Sequence, residues 1–255
     1  MGFFKKYSTF HKVYFLLFAI LNTLIFIVSI CTNKSESTLT LGIEALAFIS
    51  TMTGMLSAIY TVRGELGAFT WGVINTFTYI FVAWHSKIYG QAILYIFFET
   101  PMQVVGYYMW RKSLKNENSG RVKARKLTPM QWLITMILFA IVWILYGIFI
   151  KYLPEILNNL FGIVIADDPL YIVDSLSTTV TITAVILTCM RFVEQWYFWI
   201  ISASIGIILF IISLFISDFS LNSLSAMVMW IEILSNALYG FFIWRKMQVG
   251  TVEEA

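Results

Sequence analysis

Eight runs of mostly apolar residues alternate with short polar segments along this chain. They cover residues 13–30, 41–60, 67–84, 89–109, 130–150, 170–190, 196–216 and 221–244. A bilayer's hydrocarbon core takes roughly 20 helical residues to cross, so each run predicts a span. A ninth apolar stretch, 154–165, is too short to cross and predicts a helix lying along the surface. The polar insert "RKSLKNENSGRVKARKLTP" ends in proline and reads as a linker between spans.

Charge orients these spans. With eight crossings both termini share one side. That side carries Lys5, Lys6, Lys12, Arg63, Arg111, Lys112, Lys115, Arg121, Lys123, Arg125, Lys126, Arg191, Arg245 and Lys246. The opposite side carries only Lys34, Lys87 and Lys151. The excess of Lys and Arg marks the cytoplasmic side, so both termini are expected there. The composition agrees: 59% of residues are hydrophobic and 12% charged, with a mean hydropathy of +0.81, against about 25% charged in soluble domains. The net charge of +3 predicts no nucleic-acid partner, because the basic residues lie between apolar runs; the bilayer is the partner to expect. Cys31 and Cys189 form no CxxC pair, and no metal or cofactor is expected. The first run is long for a cleaved signal peptide and reads as an uncleaved anchor.

An internal repeat lies within the pattern. Arg63 and Trp71 are eight apart, as are Arg191 and Trp199, at an offset of 128. "GYYMWRK" (106–112) echoes "GFFIWRK" (240–246) at an offset of 134. Six extra residues in the second half would reconcile the offsets. Spans two to four and six to eight are then parallel repeats, with span five inserted to keep their orientation equal. The expected organisation is an N-terminal segment with an accessory span (1–40), a first three-helix repeat (41–112), a cytoplasmic linker (113–129), a connecting span with its outer loop (130–169), a second repeat (170–246) and a tail (247–255). Transporters built from repeats bind substrate near the midplane between them.

Polar residues inside spans are costly and mark candidate function. Span four carries Gln91, Tyr95, Glu99 and Gln103, each four residues after the last and so close to one helix face. Pro101 should bend the helix there. Span eight offers Glu232 and Asn236, span three Asn75. Asn75 alone serves equally well as an interhelical hydrogen bond. Trp196 and Trp199 are three apart at the mouth of span seven and could present their rings to one cavity. In the 128-residue register Trp199 matches Trp71 and Trp196 matches Ala68, so the aromatic pair belongs to the second half alone. No HExxH or GxSxG motif supports an enzyme.

The segments "WGVINTFTYIFVAWHSKIYG", "QVVGYYMW" and "DSLSTTVTITAVILTCMRFVEQWYFW" resemble the PnuC family of bacterial nicotinamide riboside transporters, over roughly residues 43–246. The matching positions are Trp71, Asn75, Gln103, Gly106, Trp110, Asp174, Ser175, Glu194, Trp196, Trp199, Gly240 and Trp244. The resemblance implies a 3+1+3 fold akin to the SWEET sugar transporters, a homotrimer in the bacterial inner membrane, and facilitated uptake of nicotinamide riboside trapped by a cytoplasmic kinase. Family members often carry asparagine where Ala203 stands here, which leaves thiamine or another nucleoside as alternative cargo, and a non-transporting receptor as a third reading. The chemistry suits a pyridinium nucleoside. Trp196, Trp199 and Tyr95 offer aromatic faces. Asn75, Gln91, Gln103 and Asn236 offer amides for carboxamide and ribose, and Glu99 or Glu232 an offsetting charge. Every arginine lies at a cytoplasmic span end, which argues against a phosphorylated substrate.

Overall fold

The computed structural model describes residues 7–32, 38–86, 89–115, 120–166, 171–216 and 221–249. They form helices α1 (Thr9–Thr32), α2 (Thr38–Arg63), α3 (Gly67–His85), α4, α5 (Pro129–Phe161), α6 (Tyr171–Cys189), α7 (Gln195–Ile216) and α8 (Leu221–Val249). Helix α4 is built in three consecutive pieces: Tyr89–Leu94, a π-helical turn Tyr95–Glu99, and Thr100–Leu114. No strand occurs among the described residues. Lys5, Lys6, Lys34, Lys87, Leu170, linker residues 116–119 and the tail from 250 onward lie outside them.

Over its described residues each predicted run is helical, save Met190 just past the end of α6. Among the described residues, five stretches suffice by length and hydropathy alone to cross a bilayer: Thr9–Thr32, Leu41–Arg63, Pro129–Phe161, Tyr171–Cys189 and Met227–Met247. The π turn divides α4, and Thr70, Asn75, Thr76 and Thr78 dilute α3.

The π turn has a local cause. Pro101 has no N–H to offer the Phe97 carbonyl, so the regular ladder cannot close there. The Thr100 N–H reaches back five residues to the Tyr95 carbonyl. Such a wide turn changes the angular relation of residues on either side of it.

Helix α5 departs from expectation at its far end. It continues through Pro154 to Phe161 instead of stopping near 150. Ile150, Leu153 and Leu157 are buried against Tyr89, Ile93 and Tyr146, so packing carries the helix past its proline. Its start is fixed by a capping box: Gln131 N–H donates to Thr128 Oγ1 (3.3 Å) and Thr128 N–H to Gln131 Oε1 (3.0 Å).

Helices α2, α3 and α4 pack as one group and α6, α7 and α8 as another. The groups meet where α2 contacts α8 and α4 contacts α6, while α1 lies against α2 and α8. The buried face of α1 is His11, Tyr14, Phe18, Asn22 and Ser29.

The linker is more than a tether. Val122 N–H donates to the Gly64 carbonyl (2.9 Å), just past α2. Arg125 N–H donates to the Arg191 carbonyl and Val193 N–H to the Arg125 carbonyl, both at 2.8 Å, just past α6. Leu127 N–H donates to Glu194 Oε1 at 3.1 Å, and Val122 and Leu127 are buried. One short segment therefore straps the ends of both groups.

The helix ends that it joins are built alike. Gly64 (φ 68°) and Arg191 (φ 65°) both take the left-handed conformation. Glu65 N–H bonds the Tyr60 carbonyl, and Phe192 N–H the Leu187 carbonyl, each five residues back. The Arg191 guanidinium donates to Ser113 Oγ on α4.

Candidate substrate-binding site

Matched contacts on α3, α4, α7 and α8 set the geometry of the centre. Gly106 on α4 lies under the Phe69 ring, and Gly240 on α8 under the Trp196 ring; a methyl group at either glycine would overlap that ring. Phe69 meets Trp110 edge-on at 4.9 Å, and Trp196 meets Trp244 edge-on at 5.9 Å. Trp110 Nε1 donates to the Thr188 carbonyl at the end of α6 (3.0 Å). Trp244 Nε1 donates to the Thr61 and Val62 carbonyls at the end of α2 (3.1 and 3.0 Å). Each group of three helices thus sends an indole N–H into the other.

These contacts fall at a spacing of 127 residues between α2–α3 and α6–α7, not 128. Trp196 answers Phe69 rather than Ala68, and Trp199 answers Gly72 rather than Trp71. The one-residue change moves Trp196 out of the asymmetric part of the molecule. It is 2% exposed and filled in by Gly240 and Trp244, so the ring expected to face a cavity packs one helix on another.

Trp199 is placed differently. It is half-buried, and its Nε1 donates to Thr188 Oγ1 at 3.2 Å. Thr188 therefore accepts from Trp199 through its hydroxyl and from Trp110 through its carbonyl, so α7 and α4 are both tied to the end of α6. From Trp110 the α4 face runs back toward the start of the helix through Gly106, Gln103 and Glu99. The Gln103 amide lies directly over Gly72 on α3. Glu99 is 5% exposed, and no hydrogen bond or ion pair to its carboxylate occurs among the described residues. Further along, Tyr95 turns to Tyr79 on α3, ring centroids 4.4 Å apart, and Gln91 is half-buried.

The remaining expected residues bond to neighbouring helices. Asn75 Nδ2 donates to the Ser50 carbonyl (2.8 Å) and hydroxyl (3.1 Å), tying α3 to α2. Asn236 Nδ2 donates to the Ala58 carbonyl at 3.3 Å, tying α8 to α2. Glu232 does not join the stripe on α4. Its Oε2 accepts from Asn22 Nδ2 of α1 at 3.4 Å, and the Tyr14 hydroxyl donates to its backbone carbonyl at 3.4 Å. The accessory helix holds this carboxylate. Thr188, Gly72 and the docked linker were not expected from sequence; Thr188 had a visible signal in Thr61, each shortly before an arginine at or just past the end of its helix.

Trp199 supplies an indole on α7, and Gln103 and Glu99 an amide and a carboxylate on α4. That combination suits a flat cation carrying hydrogen-bonding substituents.

Comparison with known proteins adds independent findings. The family model described as nicotinamide mononucleotide transporter matches residues 44–246. The nicotinamide riboside transporter PnuC of Haemophilus influenzae is 30% identical over 203 residues, 79% of this chain and 80% of the relative. The protein of the same name from Neisseria mucosa is 27% identical over 220 residues, 81% of this chain and 78% of the relative. A crystal structure of the vitamin B3 transporter PnuC superposes with a TM-score of 0.72 at 26% identity, covering 98% of this chain and 96% of that one.

Proposed function

Because this chain belongs to the nicotinamide mononucleotide transporter family, we propose that it is a membrane transporter, not an enzyme, and that its cargo is nicotinamide riboside. The observation that carries the reading is the stripe Glu99–Gln103–Gly106–Trp110 on α4, closed at its inner end by Trp199 through Thr188. Trp199 stacks on the pyridinium ring, an interaction worth about 1–3 kcal/mol for a nucleobase-like ring. Gln103 takes the carboxamide, and Glu99 offsets the fixed positive charge. Tyr95 and Gln91 stand further out along the path. Asn75, Asn236 and Glu232 hold the frame around it.

The family's description names the mononucleotide, whereas the named relatives carry the riboside. The positions of the arginines favour the riboside. Arg63 is paired with Glu65, Arg125 lies over Phe192, and Arg191 donates to Ser113. Arg63 ends α2, Arg191 stands just past α6, and Arg125 lies in the linker. A phosphate calls for paired arginine or lysine donors.

The helices form two parallel repeats, α2–α4 and α6–α8, joined by α5 and flanked by α1, with eight crossings and both termini cytoplasmic. The matched glycine–ring contacts and crossed indole bonds support that symmetry. Transport proceeds by rocking of the two groups about the bound substrate, facilitated by the gradient and maintained by cytoplasmic phosphorylation. The assembly is a homotrimer in the bacterial inner membrane. Uptake of labelled nicotinamide riboside into liposomes holding the purified protein tests the transport reading. Saturable uptake that stops when the gradient is dissipated is expected; binding without uptake would make the protein a receptor.

A further inference from the structure

The two groups of helices match layer by layer until one turn beyond the ring layer, where they diverge. At the same spacings that equate Phe69 with Trp196 and Gly106 with Gly240, Gly72 answers Trp199 and Gln103 answers Ala237. The first group therefore places a small residue on α3 and an amide on α4. The second places an indole on α7 and a small residue, Ala237 (1% exposed), on α8. This layer is where an otherwise symmetric scaffold offers one aromatic face and one amide.

Gly72 is what lets the amide occupy its place. A methyl group built on Gly72 would overlap Gln103 Oε1, lie 2.8 Å from its Cδ and sit 3.3 Å from Ser57 Oγ. The obstructed group is the end of a flexible side chain, whereas Ser57 is fixed by its own 2.7 Å bond to the Ala68 carbonyl. A larger residue at 72 would therefore move the Gln103 amide and leave the helices where they are.

We propose that Gly72 is a specificity-determining residue that acts by positioning the Gln103 amide toward the substrate's carboxamide. The proposal rests on the reading of nicotinamide riboside as the substrate. Gly72 makes no contact with the substrate itself; its missing side chain fixes which atoms of Gln103 face the site.

Equilibrium binding by the purified full chain tests this with two ligands, nicotinamide riboside and N-ribosylpyridinium, the same cation without the carboxamide. Gly72→Ala should weaken nicotinamide riboside about tenfold, the loss expected for one well-placed hydrogen bond, and leave N-ribosylpyridinium within about twofold. Gln103→Ala should show the same pattern. The double variant should match Gln103→Ala alone, since the methyl then fills space that the amide has left. It also serves should Gly72→Ala fail to fold. Equal losses for both ligands in Gly72→Ala, or a further loss in the double variant, would overturn the proposal by showing a general packing effect. Wild type that binds neither ligand would refute the substrate reading and the proposal with it. Unchanged nicotinamide riboside affinity in Gln103→Ala, with tight wild-type binding, would refute the proposal alone.

Discussion

Two tryptophans three residues apart in α7 turn out to have different work. Trp196 occupies the space above Gly240, so Trp196→Leu opens a cavity where two helices meet. It should lower stability by about 2–4 kcal/mol, read as a drop in the thermal midpoint, with ligand affinity little changed in the folded fraction. Trp199→Leu should do the reverse, weakening nicotinamide riboside on the order of tenfold to a hundredfold while the midpoint stays near wild type. The two buried glutamates separate in the same way. Glu99→Gln removes the proposed counter-charge and should weaken the cationic ligand by about tenfold or more. Glu232→Gln can still accept the Asn22 bond and should bind within about twofold of wild type; isothermal calorimetry on both variants checks the pair. The polar residues themselves were legible in sequence because ionisable and amide groups stand out in apolar runs. Their bonding partners were not. A one-residue error in the repeat register exchanges Ala68 for Phe69 as the partner of Trp196, and nothing in composition reveals that a carboxylate on α8 is held by an asparagine 210 positions earlier.

At the scale of elements, the apolar runs located the helices closely because length and hydropathy are properties of each segment alone. What they missed depends on contacts between segments. Helix α5 passes Pro154 because Ile150, Leu153 and Leu157 are buried against the start of α4. The linker, polar overall, hides Val122 and Leu127 and bonds to both groups of helices through its backbone. A strap of this kind makes a clear prediction. Arg125→Pro removes the N–H that donates to the Arg191 carbonyl and should release that half of the strap. Limited proteolysis from the cytoplasmic side should then cut within 120–128 severalfold faster than in wild type, with cleavage elsewhere unchanged. Equal cleavage rates would mean that the Gly64 bond and buried Val122 hold the strap unaided. In α4, the proline expected to bend the helix follows one widened turn, Tyr95–Glu99, which carries the first residue of the stripe.

At the scale of the whole molecule, matched contacts join two groups of helices through the crossed indoles of Trp110 and Trp244. Arg63, Arg111, Lys112, Arg191, Arg245 and Lys246 flank these bonds in sequence, and the proposed topology puts that end in the cytoplasm. Cysteines introduced singly at Lys115 and at Lys151 should therefore react with an impermeant thiol reagent from opposite sides of right-side-out vesicles, Lys151 from outside. Labelling of both from outside would contradict the topology.

The central claim is that this fold selects a dephosphorylated pyridinium nucleoside, and one competition measurement addresses it directly. The purified protein is titrated with nicotinamide riboside, nicotinamide mononucleotide and thiamine under one set of conditions. Nicotinamide riboside should bind tightest and the mononucleotide at least about a hundredfold more weakly, because its phosphate would have no paired cationic donors beside the stripe. Mononucleotide binding equal to or tighter than that of the riboside, or tight thiamine binding with none of nicotinamide riboside, would contradict it.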